Sequence, residues 1–176
     1  MELNKINSLV ELFYEKFEEK NNPSHYPFLK WLKIDKDDFL NWEQVEYRIR
    51  ILSEYLRTKM TSGDRCILLS ENRPEWLIAD ISIMNAGGVT VPLFTTYSQK
   101  DYEYIINDCK PTICVVSNID QFKKIEKFIP SETKVLSFEN FNEKIESIQN
   151  IFENHFKSEN ILTEENYNIE IKRADL

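Results

Sequence analysis

The residue types best suited to chemistry are scattered along this chain. His25 and His155 stand far apart, with no carboxylate at a triad or ligand spacing, so both read as ordinary surface or boundary histidines. Pro23 and Pro27 flank His25 and favour a turn there. The acidic pairs Asp37-Asp38 and Glu164-Glu165 read as solvated turns. Cys66, Cys109 and Cys114 form no CxxC or other ligand spacing, and two of them lie inside apolar runs, where a thiol acts as a small hydrophobe. No GxSxG, HExxH or DxDxD-like cluster occurs. These residues nominate no catalytic, cofactor-binding or metal-ligating position.

One turn is placed where a ligand would be met. Ser70-Glu71-Asn72-Arg73 joins a short apolar strand, Cys66 to Leu69, to a helix that has Pro74 in its first turn, where a missing N–H costs nothing. Gly87-Gly88 stops the helix, and a second strand, Val89 to Leu93, follows at once. This is one βαβ unit, and its two strands should be parallel. A nucleotide-binding unit needs glycine in the strand-to-helix turn so that backbone N–H groups can approach phosphate. Here that turn is acidic and the glycines lie at the far end, so the unit reads as scaffold. In open parallel sheets ligands bind outside the carboxyl ends of the strands, so Phe94-Thr95-Thr96-Tyr97-Ser98 could line an apolar or shared cleft, although core packing is the simpler role for its aromatics.

The remaining elements follow from periodicity. Leu9, Leu12, Phe13 and Phe17 share one face of an amphipathic helix over Leu9 to Lys20. Tyr26 to Leu32 reads as a strand, Asp35 to Asp38 as a turn, and Phe39-Leu40 as the return arm of a hairpin. Asn41 to Gln44 has the form of a capping box ahead of Val45, Ile49, Leu52 and Leu56. Asn72 with Glu75, Ser98 with Asp101, and Asn118 with Gln121 repeat that pattern at three later helix starts. Thr112 to Val116 and Lys134 to Phe138 are apolar on both faces, as buried parallel strands are. Strand starts recur about every 20 to 24 residues without internal similarity, so they mark successive βα units and not a solenoid. Asn140 to Lys157 reads as a further helix, Ser158 to Asn168 as a polar loop, and Ile169 to Leu176 as the start of an alternating segment.

Composition narrows the function classes. The net charge of -8 disfavours phosphate backbones, so nucleic acid is not an expected partner. Glycine occurs 3 times, far below the roughly 7% of ordinary proteins, which leaves no glycine-rich loop to cradle a triphosphate. No run nears the roughly 18 apolar residues that span a bilayer. The N-terminus lacks the pattern of a secretory leader, and with an odd number of cysteines this predicts a cytoplasmic protein.

The segments ENRPEW (Glu71 to Trp76) and AGGVTVPL (Ala86 to Leu93) resemble the AMP-forming acyl-CoA synthetases of the adenylate-forming superfamily, and most nearly the long-chain fatty acid–CoA ligases. SLVELFYEKF, LNWEQV, SGDRCILLSENRPEWLIAD and TTYSQKDYEYIINDCKPTICVV are similar to that family in the same order, covering roughly Ser8 to Val116. The resemblance implies an α/β fold with a mainly parallel sheet, flanked by helices and preceded by a small N-terminal helix and hairpin. It implies residues 1–138 as the N-terminal subdomain of an AMP-binding domain, and 139–176 as a helix and linker leading toward the phosphate loop. It also implies that ATP, Mg²⁺ and CoA, with a fatty acid, serve the whole enzyme while none is held by this chain. The family's Ser/Thr/Gly-rich loop followed by lysine is not in the sequence, and a segment like Lys172 to Leu176 precedes that loop in the family. The expectation is a fragment inactive by itself. The alternative is a module that docks onto a separate chain carrying the ATP half. A receiver- or flavodoxin-like regulatory domain is a third reading, and it lacks the acidic cluster or phosphate loop such a domain needs after its first strand.

Overall fold

The first strand of the main sheet, β3 (Arg65–Leu69), is the element that the others surround, and its own side chains show why. In a computed structural model describing residues 6–19, 26–32 and 37–158, Cys66 and Leu68 point into one core layer while Ile67 and Leu69 point into the other. All four are fully buried, and so are Ile113 to Val116 of β5 (Ile113–Val116). A strand apolar on both faces is stable only between two helical layers. Each fully buried Leu or Ile here is worth about 1.5–3 kcal/mol of transfer free energy.

The parallel sheet is completed by β4 (Val89–Leu93), β6 (Lys134–Ser137) and the two-residue β7 (Glu146–Ser147), in the order β4-β3-β5-β6-β7. All its pairings are parallel, with Cys66 opposite both Thr90 and Ile113. Numbered from its first strand, the order is 2-1-3-4-5, a doubly wound topology with its switch point between β3 and β5. One face is covered by α2 (Trp42–Arg57), α3 (Pro74–Asn85) and α6 (Ile148–Ser158), through Leu52, Leu56, Ile83 and Ile151. The other is covered by α4 (Gln99–Cys109) and α5 (Ile119–Ile125), through Tyr102, Ile106 and Ile125. A third cluster ties on α1 (Leu9–Glu18) and the antiparallel hairpin of β1 (Pro27–Leu32) and β2 (Asp37–Asn41), with Phe13 and Phe28 packed on Trp42.

Local chemistry sets the boundaries. The Asn41 side chain accepts from the Gln44 N–H at 2.8 Å while Gln44 Oε1 accepts from the Asn41 N–H at 2.9 Å. Ser98 and Asp101 form the same reciprocal cap on α4. Gly87 has φ +89, and its N–H and that of Gly88 close the end of α3 on Met84 and Ile83 carbonyls. A methyl on Gly88 would lie 2.8 Å from Met60 Cε, 3.0 Å from Ile83 Cγ2 and 3.2 Å from the Ile83 carbonyl oxygen, so Met60 would have to swing aside and Ile83 leaves little room. At the sheet edge, β4 carries Pro92, and Val89 donates inward to Asp64 O at 2.8 Å.

Several expectations are corrected. The cap of α3 is Arg73, in extended backbone with no side-chain cap bond, and not Asn72. Pro74 at the first helical position already removes one N–H from the set that needs an acceptor. Residues 140–157 are not one helix: Glu146–Ser147 adds to β6 and the helix begins at Ile148. Phe141 accordingly packs on Phe122 in the opposite core layer from Ile148. Asp37 and Asp38 open β2 instead of forming a turn. Leu9, placed on the inner face of α1 by periodicity, is 61% exposed because α1 has only begun to meet the core at that point. Residues 33–36, His25, Glu164-Glu165 and the segments 159–168 and 169–176 lie outside the described residues.

Candidate functional site

The carboxyl edge of the sheet gathers the polar side chains that sequence separates most widely. Glu71 leaves the end of β3, and Ser117 and Asn118 leave the end of β5, so all three meet at the switch point. Ser117 Oγ donates to Glu71 Oε2 at 2.6 Å, and Gln121 Nε2 donates to Glu71 Oε1. Gln121 Oε1 accepts from Lys124 Nζ at 2.8 Å, and the same ammonium donates to the Thr95 carbonyl at 2.8 Å. A continuous hydrogen-bonded chain thus runs from β3 across β5 and α5 to the loop after β4. Burial by itself would raise the Glu71 carboxyl. Hydrogen bonds from Ser117, its own backbone N–H, Gln121 and Asn118 outweigh it and hold the group below the usual carboxylate range.

Beside this chain, Arg73 donates through Nε and Nη2 to Glu75 at 3.0 and 3.1 Å and through Nη1 to Glu139 at 2.9 Å, with its guanidinium 5.4 Å from the Phe138 ring centroid. The Glu75 carboxyl, which burial would raise, is held low by that arginine. On the other side, residues 94–98 form a loop pinned at two carbonyls, by α4 and by α5, and closed by one bond of its own. Tyr102 Oη donates to Phe94 O at 2.9 Å, the Tyr97 N–H donates to Phe94 O at 3.2 Å, and Lys124 holds Thr95. Phe94 nevertheless remains 68% exposed, with its ring edge-on to Tyr97 at 5.3 Å. The loop therefore shows an ordered aromatic to solvent at the edge where open sheets receive ligands.

A phosphate does not fit the switch point. The turn from Ser70 to Arg73 has no glycine, and the Glu71 carboxylate already takes the nearby donors. No group of three His, Cys, Asp or Glu side chains suited to a metal ion occurs among the described residues. Elsewhere, His155 lies on α6 with its ring edge-on to Tyr47 at 5.9 Å, away from this edge. All three thiols are free and buried. Burial, with Asp64 nearby, pushes Cys66 up to about 12, and burial also raises Cys109 and Cys114. Such thiols are packing groups, not nucleophiles.

Sequence reasoning did not assemble Ser117, Gln121 and Lys124. Their partners lie 46, 50 and 29 residues away, beyond any local pattern. Gln121 was read as a capping-box partner, yet Asn118 caps α5 alone and the glutamine amide turns across the edge. The available signal was an acidic residue directly after the first strand of a parallel sheet.

A doubly wound sheet with a polar, glycine-free switch point and an aromatic loop beside it defines a scaffold of the open α/β class. Residues 17–168 match the family described as AMP-binding enzyme, and the chain belongs to that family. It is 27% identical over 123 residues to the long-chain-fatty-acid–CoA ligase ACSBG1 of Rattus norvegicus, a match covering 66% of this chain and 16% of the relative. The chain therefore spans only a small part of the curated relative's length. Among solved structures it is similar to the luciferase-like enzyme from the nonluminescent Zophobas morio mealworm, at TM-score 0.70 and 21% identity, covering 86% of this chain and 35% of that one. It is also similar to a fatty acyl-adenylate ligase from L. pneumophila in complex with acyl adenylate and pyrophosphate, at TM-score 0.60 and 19% identity, covering 84% of this chain and 24% of that one. The described helices include none long and apolar enough to cross a membrane.

Proposed function

We propose that this chain is the N-terminal scaffold of an ATP-dependent, AMP-forming long-chain fatty acid–CoA ligase and is inactive by itself. The supporting observation is the family match over residues 17–168, joined to a switch point whose donors are spent on Glu71. In the whole enzyme a fatty carboxylate would attack the α-phosphate of ATP and release pyrophosphate, and the CoA thiol would then displace AMP. Mg²⁺ and cationic groups at the phosphates would supply the electrostatic stabilisation. The residues described here would supply the sheet, and the 94–98 loop part of the acyl-pocket wall. We place the enzyme in the cytoplasm, where buried free thiols such as Cys66 stay reduced. The test is pyrophosphate release from ATP with fatty acids of several lengths. The purified 176-residue chain should release none, and ATP-dependent adenylate formation would sink the reading.

Phe94 favours a second reading, in which the chain docks onto a separate polypeptide carrying the ATP half. An ordered aromatic 68% exposed on a pinned loop is the kind of anchor that interfaces use. Sharp, monomeric, cooperative unfolding of the purified chain favours this module. Self-association or dependence on a chaperone favours the fragment.

A further inference from the structure

We propose that Glu71, Gln121 and Lys124 form a strut across the switch point that locks the Phe94-bearing loop in its displayed position. The strut is specific in its parts. Glu71 accepts from Ser117 on one oxygen and from Gln121 on the other, with its own N–H and Asn118 also holding the carboxylate. The Gln121 amide is used at both ends, donating to Glu71 and accepting from Lys124. Gln121 is buried between an exposed Glu71 and a half-buried Lys124, so the amide is the shielded centre of the chain and its two bonds are partly shielded. Lys124 divides its donors between Gln121 and a backbone carbonyl, that of Thr95, and Gln99 Nε2 donates back to the Lys124 carbonyl at 3.3 Å. The carboxylate bridges the residues that follow β3 and β5, at the edge where doubly wound sheets receive ligand. The far end of the same chain holds the loop after β4. One device thus ties the switch point to the loop that presents Phe94. Lys124 and Gln121 are positioning residues in this scheme, and the proposal stands whatever reaction the whole enzyme performs.

Hydrogen–deuterium exchange on the full chain tests it, read separately for residues 94–98 and for β3 and β5. Lys124→Met keeps the stem and removes the donors, and it should speed exchange in 94–98 by roughly tenfold while β3 and β5 are unchanged. Lys124→Arg should restore protection, and Lys123→Met, at an exposed neighbour, should have no effect. The decisive variant is Glu71→Ala, which touches no residue of the loop and should still loosen it through Gln121; Gln121→Leu should do the same. Unchanged exchange in 94–98 on Lys124→Met overturns the lock. Loosening by Lys124→Met but not by Glu71→Ala overturns the strut. Faster exchange spread equally over β3 and β5 would mean general destabilisation, and that also overturns it.

Discussion

At the scale of single residues, the clearest constraint is Gly88. Its missing side chain lets Met60 and Ile83 close over the turn, with Met60 Cε 2.8 Å and the Ile83 carbonyl 3.2 Å from where a methyl would stand. Gly88→Ala should lower the urea midpoint by the equivalent of about 1–3 kcal/mol, the usual cost of overpacking. Glu71 makes a prediction about pH. Its folded carboxyl titrates below that of an unfolded chain, so its contribution is complete above the ordinary glutamate range and is lost as pH falls through it. The native chain should therefore exceed Glu71→Gln in urea midpoint at neutral pH. That gap should narrow as pH drops through about 4, the ordinary glutamate value. A gap independent of pH would mean that hydrogen-bond shape, and not charge, is what matters. The thiols offer a third check: Cys66, Cys109 and Cys114 should be silent to an aromatic disulfide reagent at pH 8 and should all titrate after denaturation, because burial holds each in the thiol form.

At the scale of elements, caps discriminate between what was legible and what was not. Asn41→Ala should cost about 1 kcal/mol, because it breaks a reciprocal capping box on the longest helix. Asn72→Ala should cost much less, since Arg73 occupies the cap position of α3. Thermal or urea denaturation of the two variants side by side decides this. Asn41 and Asn72 each stand three residues before a Gln or Glu, and the Pro74 that follows Asn72 takes the first helical position, which leaves the cap to Arg73. The strands of the main sheet were readable because Ile67, Leu68, Val115 and their neighbours are apolar on both faces. The register of β7 was not, since a two-residue strand has no period and Glu146 is held from a distance. Its carboxylate accepts from Tyr55 Oη on α2 and pairs with Lys134 on β6 at 3.1 Å. The 140–157 segment kept a helical spacing of apolar residues by coincidence, with Phe141 serving one core layer and Ile148 the other. The switch-point residues were invisible for the same reason in stronger form: chemistry assembled at the ends of strands depends on strand order, and order is not written in local spacing.

At the scale of the whole molecule, the doubly wound topology orders its carboxyl edge without a glycine-rich turn, which suits a chain of the AMP-binding family with so little glycine. The sheet orders the edge, and the polar donors nearest Glu71 are taken by its carboxylate. The two sides of the sheet also differ in what they offer a neighbour. Val89 donates inward to Asp64, and backbone direction alternates along a strand, so the outward N–H positions of β4 fall at Thr90 and residue 92. Residue 92 is proline and has no hydrogen to give. A passing strand meeting this edge finds a single strand N–H where two would be needed to start a ladder, which is a built-in guard against edge-to-edge aggregation while the chain folds. Pro92→Val restores the second donor and should raise thioflavin-positive aggregation on incubation near the unfolding midpoint, without loss of the native fold. The same missing hydrogen makes β4 a poor template for a further strand.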